Sequence, residues 1–245
     1  MHNYKMTIQY DGAKYKGWQR LGSGEKTIQG KIEQVIGELV GKPVEIIGAS
    51  RTDAGVHALG QVANVKLDED IGETKLYNVL NHQLPPDICV LSVERVPETF
   101  HARFDAIEKT YLYKIWNEPH SHPFMRRYSM HVKKKLNIDD MRKAAVHFLG
   151  EHDFTAYSNA KANKKKTVRK IYALDILPHD GFIDIRIRGD GFLYNMVRKI
   201  AGTLIEVGMG EKHADEVPLI IESRDRGRTG RMAEAQGLYL ENITY

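Results

Sequence analysis

Cysteine is almost absent from this chain of 245 residues, which contains Cys89 alone. A single thiol cannot form an internal disulfide, and it cannot supply the several thiolates of a structural zinc site. Long apolar runs are absent too, because no stretch approaches the ~20 apolar residues of a membrane-spanning helix. The first residues lead directly into a strand-like pattern, without an apolar signal core. These absences predict a cytoplasmic protein that does not associate with a membrane.

Several motifs of nucleotide, hydrolase and metal chemistry are also missing. The chain contains no GxxxxGK[ST] phosphate loop, no GxSxG nucleophile elbow and no HExxH zinc helix. His120 and His122 lie close together, but a polar loop explains such a pair more simply than a metal site does. No metal ion and no cofactor are therefore expected.

Positive charge is distributed unevenly along the chain. The net charge is +4 overall, yet residues 99–199 hold 20 basic and 11 acidic side chains, a net charge of +9. The flanking segments, 1–98 and 200–245, carry net charges of −2 and −3. A basic segment between two slightly acidic ones favours contact with a polyanion such as nucleic acid. A solvated, lysine-rich surface is the alternative.

Hydrophobic periodicity predicts the same order of elements twice. In the first half, strands are predicted at 5–10, 44–47, 62–67 and 88–96, and helices at 28–39 and 75–83. In the second half, strands are predicted at 111–116, 168–177, 182–188 and 238–245, and helices at 141–149 and 193–208. Each half thus has the order β-α-β-β-α-β, which is the ferredoxin-like or RRM-like unit. We therefore predict an α+β fold of two tandem halves, residues 1–104 and 105–245.

The most unusual stretch is residues 48–58, with the sequence GASRTDAGVHA, which links two predicted strands. A simple hairpin connection usually needs only 2–5 residues. This one is longer and places Arg51, Asp53 and His57 close together. A carboxylate that a neighbouring cation keeps ionised can act as a nucleophile, although Thr-Asp-Ala-Gly is also good turn chemistry. The stretch is therefore a candidate active-site loop.

Residues 48–62 resemble the signature of the tRNA pseudouridine synthase A family. Further segments resemble the same family, in order, along nearly the whole chain: 10–19, 81–85, 100–104, 109–113, 150–154, 167–169, 192–198 and 237–240. Their joint occurrence makes the resemblance specific. Two positions depart from the family pattern, because Ser50 stands where glycine is common and Glu234 lies in a run that often contains Ala-Pro.

The resemblance implies an isomerase that converts uridine to pseudouridine at positions 38–40 (tRNA numbering) of the anticodon stem-loop. It implies a pseudouridine synthase fold in which the two halves form a central cleft, with the catalytic loop in the first half. That reaction needs no energy source and no redox cofactor. The resemblance also implies a homodimer, with one tRNA lying across both subunits.

The same resemblance assigns roles to four residues. Asp53, in the Arg-Thr-Asp motif, is implied to be the catalytic carboxylate, which could add to the sugar or the base or remove a ribose proton. Arg198 matches the cation that keeps this carboxylate charged, and Tyr111 matches the active-site tyrosine, which can stack on uracil and place a hydroxyl near C5. Arg51 is placed to fill the space that the extruded base leaves.

Two runs of basic residues are expected to contact phosphates without reading sequence. The first run comprises Lys161, Lys164, Lys165, Lys166, Arg169 and Lys170, and the second comprises Arg126, Arg127, Lys133, Lys134 and Lys135. A solvated loop is the alternative for both runs.

Two other functions stay open on the residues alone: a non-catalytic RNA-binding module, and a small-molecule α/β enzyme with an incidental basic patch. The long loop around Asp53 favours an enzyme over a binding module, because binding RNA does not require a carboxylate that faces phosphates.

Overall fold

A computed structural model of the protein describes residues 1–22, 24–159 and 167–245. The chain divides into two compact units. Unit 1 comprises Met1–Ile107 and Tyr239–Tyr245, and unit 2 comprises Glu108–Leu238. The first boundary lies three residues beyond the predicted one. The C-terminal segment, however, belongs to unit 1 rather than to the second half of the sequence.

Each unit combines helices with a largely antiparallel sheet, which confirms the predicted α+β class. The strands are β1 (His2–Tyr10), β2 (Ile46–Gly48), β3 (His57–Leu67), β4 (Ile88–Val96), β5 (Glu108–Trp116), β6 (Met130–His131), β7 (Gly150–Asp153), β8 (Val168–His179), β9 (Phe182–Gly189) and β10 (Leu238–Thr244). The helices are α1 (Ile28–Val40), α2 (Glu73–Gln83), α3 (Ile138–Val146), α4 (Met196–Gly208) and α5 (Glu216–Ser223).

Helix α1 of unit 1 begins where its sequence predicts and ends one residue later. The side chain of Thr27 accepts a hydrogen bond from the backbone N–H of Gly30, so it caps the first turn. Ile28, Ile32 and Ile36 are buried on one face. Gly41 then adopts a left-handed conformation, with a φ of 72°, and ends the helix.

The sheet of unit 1 has the strand order β4-β1-β3-β10. Strand β3 is 11 residues long, whereas β2 is only three residues long and pairs with residues 63–65 of β3. The beginning of that edge of β3 therefore remains available to β10, which pairs in parallel through Tyr239↔His57 and Leu240↔Ala58. This non-local pairing explains why the C-terminal strand joins unit 1.

Unit 2 contains a sheet of order β7-β8-β9-β5, in which β6 pairs with β5. The strands predicted at 168–177 and 182–188 are confirmed as β8 and β9, which pair as an antiparallel hairpin. Strands β6 and β7 and helix α5 were not predicted, because two, four and eight residues are too few for a clear periodicity. Helix α4 starts at Met196, three residues later than predicted, because Asn195 adopts a left-handed φ of 64°.

The described helices include none that is long and apolar enough to cross a membrane. The predicted phosphate contacts Lys161, Lys164, Lys165 and Lys166 lie outside the described residues.

Candidate active site

The loop that carries Asp53 connects β2 to β3 and spans residues 49–56. It is shorter than the predicted stretch 48–58, because Gly48 ends β2 and His57 already begins β3. At its start, the backbone N–H of Ala49 donates to the carbonyl oxygen of Val62 at 2.8 Å. The loop therefore departs from two paired strands of unit 1.

A buried glutamine of β3 holds the first part of the loop. Gln61 is 0% exposed, its Nε2 donates to the carbonyl oxygen of Ser50 at 2.7 Å, and its Oε1 accepts from the Ser50 N–H at 3.2 Å. One side chain thus pairs both backbone groups of Ser50. Ser50 does not have the positive φ that would favour glycine, so its departure from the family pattern causes no backbone strain.

The middle of the loop is held by the segment that precedes α1. The side-chain oxygens of Thr52 and Tyr10 lie 2.8 Å apart in a buried hydrogen bond, and the Thr52 carbonyl oxygen accepts from the Trp18 N–H at 3.0 Å. Gly17 has a φ of 95°, and a Cβ there would lie 2.6 Å from the Thr52 carbonyl oxygen. Only glycine allows this approach, so the residue next to Asp53 is fixed from two sides.

Asp53 itself lies in a tight turn at the edge of this rigid frame. Its carbonyl oxygen accepts from the Val56 N–H at 3.2 Å. The residue is half-buried, and the neighbouring Arg51 is exposed. Asp53 is therefore partly accessible to solvent, and the backbone next to it is held by hydrogen bonds. This arrangement suits a carboxylate that must meet a large substrate in a defined orientation.

His57 does not share the position of Arg51 and Asp53, although the sequence places the three close together. Its side chain is buried in unit 1, where Nδ1 accepts from the Gly12 N–H at 3.1 Å. Its ring stacks on that of Tyr239 in β10, with 4.9 Å between the ring centroids. His57 thus packs the C-terminal strand against β3.

The two tyrosines of β5 differ in their surroundings within unit 2. Tyr111 is 6% exposed, and its ring meets the Phe192 ring edge to face at a centroid distance of 5.2 Å. Tyr113 is fully buried, and its hydroxyl donates to the Glu234 carbonyl oxygen at 2.8 Å. Burial raises the pKa of Tyr113 far above the ordinary tyrosine value. Tyr113 is therefore a protonated core residue.

Arg198 lies in the first turn of α4 and is held by the same segment that receives Tyr113. Its Nε donates to the Ala233 carbonyl oxygen at 2.8 Å, and the Ala233 N–H donates to the Arg198 carbonyl oxygen at 3.1 Å. Glu234 contributes its backbone carbonyl to Tyr113, while its side chain is exposed. The departure at Glu234 therefore does not change the bonds that anchor this segment.

The predicted phosphate contacts that the structure describes lie at the surface of unit 2. Arg126 and Arg127 are exposed, and a guanidinium N–H of Arg126 donates to the Pro123 carbonyl oxygen. Arg169 is half-buried on β8 and donates to the Val168 carbonyl oxygen at 2.6 Å. In the described part of the chain, no three His, Cys, Asp or Glu side chains form a group that could hold a metal ion.

Comparison with known proteins decides the family. A family model described as tRNA pseudouridine synthase matches residues 6–105 and 144–245. The chain belongs to the tRNA pseudouridine synthase family. Over the full length of both chains it is 62% identical to a tRNA pseudouridine synthase A of Bacillus sp. strain KSM-64 and 60% identical to a tRNA pseudouridine synthase A 2 of Bacillus cereus. It is 47% identical, again over both full lengths, to a tRNA pseudouridine synthase A of Ruminiclostridium cellulolyticum.

Membership of the tRNA pseudouridine synthase family confirms the predicted family and makes this protein an isomerase. Sequence reasoning did not identify the residues that support the loop of this synthase, namely Gln61, Tyr10 and Thr52. Gln61 carried a usable signal, because it is a polar residue within a strand whose other positions are mainly apolar or small. A buried amide in such a strand needs partners, and here it finds them in the loop.

Proposed function

We propose that this protein converts uridine to pseudouridine at positions 38–40 (tRNA numbering) of the anticodon stem-loop of tRNA. In that conversion the bond from ribose C1′ to N1 breaks, a bond from C1′ to C5 forms, C5 loses a proton and N1 gains one. Atoms and electrons balance without any oxidant or reductant. The observation that carries the proposal is the hydrogen-bonded backbone at positions 50 and 52, which leads into half-buried Asp53, in a chain that belongs to the tRNA pseudouridine synthase family.

Asp53 is the catalytic carboxylate in this proposal. The frame formed by Gln61, Tyr10 and Gly17 fixes the backbone at positions 50 and 52, so the orientation of Asp53 is set before the substrate arrives. Attack on the sugar, attack on the base and removal of a ribose proton are all compatible with a carboxylate. Arg51, exposed two residues earlier, is assigned to occupy the space of the extruded base.

Tyr111 and Arg198 bind the target nucleotide in the same proposal. Phe192 packs edge to face on Tyr111 and thereby restricts its ring, as stacking on uracil requires. The bond from Arg198 to Ala233 orients its guanidinium group. A positive charge of this kind stabilises a carboxylate or a phosphate in a partly dry site.

The basic surface of unit 2 holds the phosphate backbone of tRNA. The described part of this surface includes Arg126, Arg127 and Arg169, and the lysines at 161 and 164–166 belong to it by sequence. We further propose that the protein acts in the cytoplasm as a homodimer that binds one tRNA across both subunits.

The test is to incubate the protein with a pool of unmodified tRNAs of native sequence and to map every uridine that changes. Mass spectrometry of nuclease fragments, after chemical labelling of pseudouridine, locates the product. The expected result is pseudouridine at one or more of positions 38, 39 and 40. Tight binding without any pseudouridine would contradict the reaction, and pseudouridine confined to other positions would contradict the assigned site.

A further inference from the structure

An exposed phenylalanine lies on a tightly built turn of unit 1, outside the loop of Asp53. Phe104 is 76% exposed, although large aromatic side chains are usually buried or half-buried. A single exposed apolar residue needs no explanation by itself. The surroundings of Phe104 do, because hydrogen bonds to the buried Ala102 and around His101 hold its turn in one conformation.

The turn is anchored to the sheet of unit 1 through Ala102, which is fully buried. The Ala102 N–H donates to Asn64 Oδ1 at 2.9 Å, and the Ala102 carbonyl oxygen accepts from the hydroxyl of Tyr245 at 2.7 Å. Asn64 lies on β3 and donates in turn to Asn3 Oδ1 of β1, also at 2.9 Å. Both backbone groups of Ala102 are thus paired with side chains that are fixed by the sheet.

The residues on either side of Ala102 close the turn. His101 Nδ1 accepts from the backbone N–H groups of Arg103 at 3.2 Å and of Phe104 at 3.3 Å. Asp105 Oδ2 accepts from the His101 N–H at 2.9 Å. The imidazole therefore serves as a cap for two successive backbone donors, and it can do so only with Nδ1 unprotonated.

The same imidazole also orients the phenylalanine ring. The His101 and Phe104 rings stack at a centroid distance of 4.2 Å with an interplanar angle of 29°. The Arg103 guanidinium lies 5.9 Å from the Phe104 ring centroid, and its side chain is exposed. Phe104 is thus a fixed aromatic surface with a cation beside it.

We propose that Phe104 is a stacking platform for an unpaired nucleobase of the tRNA and that Arg103 contacts the neighbouring phosphate. The inference rests on the proposed function, because it takes tRNA as the substrate. A flat ring beside a cation is the combination by which proteins bind unpaired nucleotides. The rigid turn means that little conformational entropy is lost on binding. A second copy of the chain is a less suitable partner for the Phe104 ring. Exposed Arg103 and Asp105 flank the ring, and the centres of protein interfaces are depleted of charge.

The test compares the affinity of wild type and four variants for unmodified tRNA, and it measures pseudouridine formation in parallel. Phe104→Ala should weaken binding by roughly 5- to 150-fold, which is the range for loss of one stacked base. Phe104→Leu should lose most of that affinity, because a leucine covers a base but cannot stack on it. Phe104→Trp should restore it. Tyr77→Ala, at an exposed aromatic on α2, should bind like wild type.

A second measurement identifies the base. tRNA anticodon stem-loops with one abasic nucleotide each should include one that weakens binding to wild type and leaves binding to Phe104→Ala unchanged. Equal affinity of Phe104→Ala, Phe104→Leu and wild type would overturn the stacking platform. A change in the sedimentation coefficient of Phe104→Ala without tRNA would also overturn it and would assign the ring to contact between copies. Failure of the proposed function is distinguishable, because wild type itself would then form no pseudouridine.

Discussion

At the scale of single residues, a few hydrogen bonds hold the backbone that leads into Asp53, the proposed catalytic residue. Gln61 supplies both partners of the Ser50 backbone, and Tyr10 pairs with the Thr52 side chain. Gly17 allows the approach that brings its own segment against the carbonyl of Thr52. The side chains of Gln61 and Tyr10 that make these hydrogen bonds are buried, so small changes at these positions should alter the reaction more than they alter substrate binding.

Replacement of the carboxylate tests its assigned role. Asp53→Asn keeps the size of the side chain and removes its charge, so the rate of pseudouridine formation should fall by at least ~10²-fold, the lower bound typical of a lost acid–base group. tRNA affinity should stay within a few-fold, because phosphates dominate it. The matched control is Asp68→Asn, at an exposed residue that pairs with Lys42. A near-normal rate in Asp53→Asn would exclude a catalytic carboxylate at this position.

Gln61 offers a test of positioning rather than of chemistry. Gln61→Leu leaves the N–H and the carbonyl of Ser50 without this partner, at a cost of about 1–3 kcal/mol for each buried group left unpaired. We expect a lower kcat with a KM near that of wild type, because the loop is displaced while the basic surface is intact. Gln83→Leu, at an exposed glutamine that ends α2, is the control. Equal loss in both variants, or a change in KM alone, would rule out the positioning role.

At the scale of elements, a network of side chains on helix α1 positions β2, the strand that leads into the loop of Asp53. Glu33 on α1 is buried, and its Oε1 accepts from the Ile46 N–H that begins β2 at 3.0 Å. The same oxygen accepts from Gln29, and Arg20 pairs with the other carboxylate oxygen at 3.1 Å. Helix α1 thereby holds β2, the strand from which the loop departs. Because α1 begins at its Thr27 cap, Glu33 falls at the helical position that contacts Ile46.

Helix α4 contains a buried lysine, Lys199, that makes the stability of the folded protein depend on pH. Lys199 donates to the Ala156 carbonyl oxygen at 3.3 Å, and burial lowers its pKa below the ordinary value of 10.5. Between the lowered pKa and 10.5, the unfolded chain binds a proton that the folded chain has released, so stability rises with pH. Denaturant unfolding of wild type and Lys199→Met at increasing pH should show that the free energy of unfolding of wild type rises relative to that of the variant over this range. Parallel curves would place the amine in solvent.

At the scale of the whole molecule, charge separates the two parts of the chain. The net charge of +9 lies in residues 99–199, most of which belong to unit 2, whereas Asp53 lies in the acidic segment 1–98. A polyanion such as tRNA releases counterions wherever a cation neutralises one of its phosphates. The salt dependence of binding therefore reports how many of these cations touch tRNA.

A double substitution measures how much two of these cations, Arg126 and Arg127, contribute to the salt dependence. Arg126→Gln with Arg127→Gln should make the plot of log affinity against log salt less steep by up to about 2, at roughly 0.7–0.9 for each lost contact. The matched control is Arg142→Gln with Lys143→Gln, because these neighbours already pair with Asp139 and Asp140. A slope unchanged by the first pair, or equally changed by both, would show that Arg126 and Arg127 face solvent.

Local patterns alone determined much of this protein. An element that is buried on one side has hydrophobic residues at regular spacing in the sequence. For this reason helix α1, which is bounded by Thr27 and Gly41, and the strands β8 and β9 were predictable. The loop of Asp53 was predictable as well, since its residue types and its resemblance to a family are local facts.

Only the tertiary structure decided which edges and side chains meet. Every unpaired strand edge offers the same N–H and carbonyl groups, so no local pattern states that β10 pairs with His57 and Ala58 of β3. The partners of Gln61, the burial of His57 and the turn that presents Phe104 have the same origin. Each depends on contacts of individual polar groups, and hydrophobic periodicity does not encode which partners those groups meet.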